Sequence, residues 1–561
     1  MVTNKYITRI ASVIMAAAVI LCLMASLFSD KLQEVYGNNA VTMKYESKLF
    51  STDQIMDIDI LMDEDDWNNM LENAISEEYY SCNVVVNGKT FYSVGIRPKG
   101  NTSLSSIVND PDTDRYSFKL EFDHYIEGQT CYGLDKLILN NNYADATNMK
   151  EAIVYDMYQY LGVDASLYNY AKISVNGDYR GVYLALEAVE DSFMLRNYGT
   201  EDGNLYKPES MGIGGGVDGN GFPQKGEMPD GEDFPQKGEM PDGEDFPHMG
   251  EAPNGEVADI KMGIMGGNGG ADLNYTDDDL DSYSTIWDGE ITDSDKKDHK
   301  RVVEALKNIS EGTDLETYMD VDNILKYMAV HTFVVNDDSL SGTMAHNYYL
   351  YEYNGKLNIL PWDYNLSFGG MSMGGKMGGQ SLGATSVIND AIDTPFSITD
   401  FFNALLENEE YLEQYHGYLN ELVEKYVNGG EFEKTYERIR SQIDDLVGND
   451  PTAFYSYEEY EEAANMLIEV VQLRAKSVSG QLAGTIPSTD EGQQQDSSNL
   501  IDGSDIDLSV MGSFSGGGGG NEGQGKDNGF AGTPQPFDAG DVSPISEEKA
   551  DLQDSNQDSV K

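Results

Sequence analysis

VVNDDSLSGTMAHNYYLYEYNGKLNILPWDYNLSFG, residues 334–369, is the stretch that decides how this chain folds. Asn354-Gly355 lies between two alternating aromatic and apolar runs, a strong short-range signal for a two-residue hairpin. Pairing outward from that turn sets Tyr353 against Lys356 and Asn347 against Trp362. Asn347 and Asp363 then arrive at the same end of one ribbon. Asp337 and Asp338 stand just upstream, where the chain can fold them over that end. Hard oxygen ligands gathered at one point are what Mg²⁺ and a phosphate-bearing substrate require.

Toward the N-terminus the pattern is β-rich. Residues 42–208 open with an alternating strand, IMDIDILM, and a short helix around Trp67. Asn87-Gly88 and Asn176-Gly177 each join alternating runs and predict two further hairpins. RYSFKLEFD alternates strictly, with Tyr116, Phe118, Leu120 and Phe122 on one face and Lys119 on the other. A helix is expected from about Asn148 to Leu161, started by Thr147 and stopped by Gly162. Its apolar residues fall on two sides, so it is expected to be sandwiched. This block reads as a small, mainly antiparallel sheet with one or two helices.

Toward the C-terminus the pattern turns helical. RVVEALKNI, NILKYMAVHTFVV, the run 398–427, FEKTYERIRSQIDDLV and the run 457–482 all carry the 3.6-residue period, within a block spanning 271–483. Between the two blocks, FPQKGEMPDGED occurs at 222–233 and again at 234–245, and FPHMGEAPNGEV follows at 246–257. That 12-residue repeat of Pro, Gly and acids offers almost nothing to bury, so 209–270 is expected to be disordered or extended. The Gly- and Met-rich run 369–383 reads as a flexible surface loop, and the polar tail 484–561 as disordered.

The chain has 98 acidic and 36 basic residues, a formal charge of −62. Nucleic-acid partners are excluded, because they require basic patches; spread acidity fits solubility outside the cell. Ile10 to Phe28 carries no charge and follows Lys5 and Arg9. That stretch is long enough to span a bilayer and predicts a single-pass anchor in the cell membrane. Residues 1–9 would then be cytoplasmic and the remainder extracytoplasmic, a cleaved signal peptide being the competing reading. Cys22 falls in the span. Cys82 and Cys131 lie outside it and are free to pair in that compartment, though spacing alone does not show it.

Several ordered motifs resemble the CotH kinase family, the secreted atypical kinases related to spore-coat protein H. They are GIRPKGNTS (95–103), RYSFKLEFD (115–123), LILNNNYADATNMKEAI (137–153), GVYLALEAVE (181–190), NLYKP (204–208), ADLNYTDD (271–278), VVNDDS (334–339), HNYYLY (346–351) and PWDYNLSFG (361–369). The resemblance implies an α+β, protein-kinase-like fold of two lobes, a β-rich N-lobe and a mainly helical C-lobe. It implies transfer of the ATP γ-phosphate, with Mg²⁺ or Mn²⁺, to serine or threonine of surface or coat proteins. On the motifs, Asp363 is implied as the metal-binding aspartate, Asn347 as a second metal ligand and Asp338 as the catalytic aspartate. Lys119 is implied as the strand lysine on the ATP phosphates and Glu151 as its helix partner. Glu187 to Glu190 would form the hinge near adenine. The chain departs from ordinary kinases in lacking a GxGxxG loop and an HRD motif, and in placing Asn347 nine residues after Asp338 rather than five. RPKGNTS would therefore cover the phosphates, with Arg97 or Lys99 supplying charge.

Two bland readings stand beside the sharp ones. His331 and His346 read as hydrogen-bonded structural residues and are left out of the site. An inactive kinase-like fold serving as a surface adhesion or scaffold protein is the alternative function, favoured by the long repeat insert.

Overall fold

The computed structural model describes residues 40–209, 269–342, 344–372 and 383–515. The expected membrane anchor at 10–28 and most of the repeat insert lie outside the described residues. Among those described, no helix is long and apolar enough to cross a membrane.

The β-rich half is a closed barrel. Its strands are β1 (Met56–Leu61), β2 (Tyr80–Val86), β3 (Lys89–Lys99), β4 (Ser117–Glu121), β5 (Lys136–Asn140), β6 (Tyr168–Val175) and β7 (Asp178–Glu187), in the spatial order β1-β2-β3-β4-β5-β7-β6. The expected small, mainly antiparallel sheet is thus closed on itself. The β2–β3 and β6–β7 neighbours are local hairpins, but β5 pairs with β7, past β6 in the chain, and β1 pairs in parallel with β6, Met56 opposite Ala171 through Ile60 opposite Val175. That long-range pairing removes both free edges. The Asn87-Gly88 and Asn176-Gly177 turns hold the φ > 0 conformation expected, 48° and 79° in the first and 53° and 88° in the second.

Strand alternation gives the barrel two apolar faces. Phe118, Leu120, Leu137, Leu139, Tyr183 and Ala185 point inward to a core shared with Val84, Val94 and Ile173. Ile138, Leu184 and Leu186 point outward, against the helical half. There they meet a helix after β5 that is buried on nearly every side (Lys150–Leu161; called α1). Thr147 is not its cap: the N-cap is Met149, with no side-chain cap, and the Thr147 hydroxyl accepts from Met149 N at 2.9 Å; Gly162 ends the helix at φ 74°, as expected.

The helical half is built on α2 (Val321–Val334), α3 (Glu409–Glu421), α4 (Glu431–Gly448) and α5 (Tyr457–Leu482). A three-stranded sheet of β8 (Asn204–Tyr206), β9 (Tyr348–Tyr353) and β10 (Lys356–Pro361) lies with them, in the order β10-β9-β8. The register of the central hairpin is the expected one: Lys356 opposes Tyr353 and Pro361 opposes Tyr348, with Asn354 and Gly355 at φ 54° and 85°. A buried pin fastens the halves. Arg115, before β4, donates to Asp450 at 2.7 Å, to Thr452 at 2.8 Å and to the Val182 carbonyl at 2.6 Å.

Two further expectations change. The chain from 484 to 515 is structured: a helix spans Asp490–Gln495, a 3₁₀ turn Leu508–Met511, and β12 (Phe514–Ser515) pairs in parallel with β11 (Met371–Ser372). Cys82 and Cys131 are free, buried thiols in the barrel, and burial pushes both up to about 12.

Candidate active site

The loop after α2 and the ends of the hairpin converge. Val335, Ala345, Asn347, Asp363 and Phe368 all have φ between 46° and 59°. For Val335, a β-branched residue, that conformation is strained, and clustering of such residues is characteristic of functional sites. Asp338 and Asn347 are hydrogen-bonded there, and the Asp338 charge acts on Asp363.

Asp338 is half-buried and Asp337 exposed. The Asp338 carboxylate receives His346 Nε2 at 2.8 Å and Asn347 Nδ2 at 3.0 Å, and the same Nδ2 donates to the Asp338 carbonyl at 2.9 Å. Two acceptors on Nδ2 fix the amide, so Asn347 Oδ1 is the atom left to accept or ligate. Behind the loop, His331 binds Ser341 Oγ at 2.7 Å and Tyr364 Oη at 3.1 Å, while Ser339 Oγ donates to the Asn336 carbonyl at 2.7 Å. Burial pulls His331 down to about 4, so it is a neutral strut at ordinary pH. His346 is different: burial opposes its charge, but the hydrogen bond and charge of Asp338 outweigh that and raise it. The structure thus joins His346 to Asp338, a contact the sequence reading had set aside.

Asp363 is raised above the usual carboxylate range by burial; the Lys99 charge opposes this and the Asp338 charge adds to it. Lys99 is lowered by burial and by the charge of Lys207, against the pull of Asp363 and Glu151. Glu151 is pushed up to about 8 by burial and by Asp363, with Lys99 opposing. The Glu151 carboxylate accepts from Asn140 Nδ2 at 2.6 Å and from the Tyr364 backbone N–H at 3.4 Å, which ties α1 to the residue after Asp363. Lys99 Nζ lies 5.4 Å from the Trp362 ring and Lys207 Nζ 5.9 Å from that of Tyr349, and those two rings touch edge to face.

The strand lysine whose charge acts on Glu151 and Asp363 is Lys99, not Lys119. Lys119 turns to Glu190 at 2.7 Å, and Glu190 also binds Lys136. The physical reason is position along the strands: Arg97 opposes Lys119 and Lys99 opposes Ser117, so Lys99 stands two residues further along β3. Arg97 is buried against Glu77, the Pro98 carbonyl and the Tyr79 ring. The Glu187 carboxylate is fully buried and receives Tyr45 Oη at 2.5 Å, Arg196 at 2.9 and 2.6 Å and the Leu167 N–H at 3.1 Å. Four donors use its four acceptor positions, so its carboxylate is structural. Lys207 was missed; its motif, NLYKP, was noted without a role, and its proximity to Asp363 depends on β8 pairing with β9.

A divalent cation fits these residues in kind. Among the described residues, no hydrogen bond reaches the Asp363 carboxylate, and the Asn347 amide, held through Nδ2, leaves Oδ1 for a ligand. No cluster of three or more His, Cys, Asp or Glu side chains there has metal-holding geometry, so phosphate oxygens or water must complete any coordination.

The structure thus sets a barrel on a helical half, with the charges of a lysine, a glutamate and two aspartates acting on one another beside the hairpin. A family model described as CotH kinase protein matches residues 96–478, and the chain belongs to that family. A comparison with curated proteins found no match.

Proposed function

We propose that the chain transfers the γ-phosphoryl group of ATP to serine or threonine of an extracytoplasmic surface or coat protein, with barrel and helical halves serving as the two lobes of an atypical kinase. One observation carries the reading: Lys99, Glu151 and Asp363 lie close enough for their charges to act on one another, and the Asp338 charge acts on Asp363 as well.

Asp363 and Asn347 Oδ1 would hold Mg²⁺ or Mn²⁺, which when bound neutralises phosphate charge. Lys99 supports the phosphates from β3, and Glu151, whose charge acts on Lys99, ties α1 to the residue after Asp363 through the Tyr364 N–H. Lys207, paired with Glu209 at 2.5 Å, adds a second cation whose charge acts on Asp363. Asp338 accepts the proton of the attacking hydroxyl, and its bonds to His346 and Asn347 keep its orientation. The uncharged stretch 10–28 supports an anchored protein with its catalytic part outside the cell.

Radiolabelled ATP with the purified chain, Mn²⁺ or Mg²⁺ and generic protein acceptors tests this. Label is expected on the chain or the acceptor, and Asp363→Ala should abolish it. Absence of both labelling and any nucleotide-dependent thermal shift would favour the scaffold reading instead.

A further inference from the structure

The family match ends at residue 478, yet the chain beyond it returns to the start of α1, beside Glu151. After α5 it runs along the helical half, where Asn389 exchanges hydrogen bonds with Ile501 at 2.8 and 2.9 Å and Thr385 Oγ1 accepts from Gly503 N at 3.0 Å. Met511 is then wholly buried, and its carbonyl accepts from Ala146 N at 3.1 Å. The next carbonyl, of Gly512, accepts from Lys150 Nζ at 3.4 Å. Lys150 is fully buried and immediately precedes Glu151; its backbone N–H bonds to Asp145 at 3.0 Å. Gly512 has φ 82°, and a Cβ there would come within 2.5 Å of the Ala144 carbonyl oxygen and 2.9 Å of Ala146 N. Glycine is therefore required for this close approach.

Two residues later the strap reaches the other side of the cleft. Phe514 N donates to the Gly370 carbonyl at 3.0 Å, and Phe514 pairs with Met371, eight residues after Asp363. The Phe514 ring contacts Tyr143, whose carbonyl accepts from Asn365 Nδ2 at 2.8 Å. The start of α1, the segment after Asp363 and the strap thus form one junction.

We propose that residues 484–515 are a positioning strap: they hold the Glu151 helix against the segment that follows Asp363, and phosphoryl transfer depends on them. This rests on the phosphotransferase reading above. The strap residues act through Lys150 and Gly370 and do not touch the reacting atoms. A displacement of about 1 Å in such a site costs about 10²-fold in rate.

The test compares the full chain with versions ending after Ser515 and after Ala483, and with Gly512→Ala. Ending after Ser515 should leave transfer within about 2-fold of the full chain. Ending after Ala483, and Gly512→Ala, should each lower kcat about 10²-fold with the KM for ATP changed less than about 3-fold. A synthetic peptide of residues 484–515 added to the chain ending after Ala483 should restore kcat. Full activity without the strap, or losses in kcat that merely follow a lowered Tm and are not rescued by the peptide, would overturn the proposal. A full chain that transfers no phosphate overturns the underlying reading, and the strap's role with it.

Discussion

The protein buries two cation–carboxylate groups between its halves, and they are built differently. Arg115 and Asp450 have side chains 2% exposed, and every direction is used: the guanidinium donates to Asn141, Val182, Thr452 and Asp450, and Asp450 also accepts from Val182 N at 3.1 Å. Lys99, Glu151 and Asp363 are a similar mixture left incomplete. Their charges act on one another, yet Asp363 receives no hydrogen bond from the described residues, and the acids are raised while the lysine is lowered. Complete pairing marks a structural pin; incomplete pairing marks a place that a phosphate and a cation would complete.

The largest effect separates the two as stability against activity. Arg115→Ala leaves Asp450 charged and buried, so it should cost about 3–5 kcal/mol of unfolding free energy, measured by urea titration. A loss below about 1 kcal/mol would show that the pin does not join the halves energetically. Next comes Lys99→Ala, which should lower kcat/KM for ATP about 10²–10³-fold while leaving the urea midpoint near that of the unchanged chain. A fallen midpoint with intact transfer would make Lys99 another pin.

This contrast also explains what the sequence reveals. The hairpin register was legible because Asn354-Gly355 and the period-2 pattern are local. Asp338, Asn347 and Asp363 followed from that register and from motif positions. Choosing between Lys99 and Lys119 was not possible along one strand, because each is a polar residue on an alternating run. What separates them is the β3–β4 register and Glu190, 71 residues from Lys119, which pairs with Lys119. Barrel closure and the strap were hidden for the same reason: β1–β6 pairing and the Gly512 contact join segments far apart in the chain, and a Gly-rich, polar tail has no periodicity to betray its docking.

A smaller effect tests the ion group on the barrel's outer side through pH. Asp135 is buried, accepts from Ser192 Oγ, and is pushed up to about 7 by burial and by the Glu190 charge. Its folded value lies above its unfolded one, so the folded state holds the extra proton between about pH 4 and 7. The stability this contributes is complete below pH 4 and is lost as pH rises through 7. Asp135→Asn should therefore gain on the unchanged chain by about 2–3 kcal/mol as pH rises from 5 to 8, read from urea midpoints. A parallel pair of pH profiles would mean that Asp135 titrates normally.

The smallest effect returns to the two lysines. Lys119 shares Glu190 with Lys136, so Lys119→Met removes one of two cations and leaves the carboxylate paired. Its side chain is 16% exposed, and its aliphatic stem is kept by methionine. Stability should fall by about 1 kcal/mol or less, and kcat/KM for ATP should stay within about 2-fold. If Lys119→Met instead loses activity as Lys99→Ala does, the phosphates reach further down the barrel than Lys99. Glu190 would then have to release Lys119 when ATP binds. An equal pair of losses would point to that exchange; a loss confined to Lys99 would fix the end of β3 as the phosphate-facing edge of the barrel.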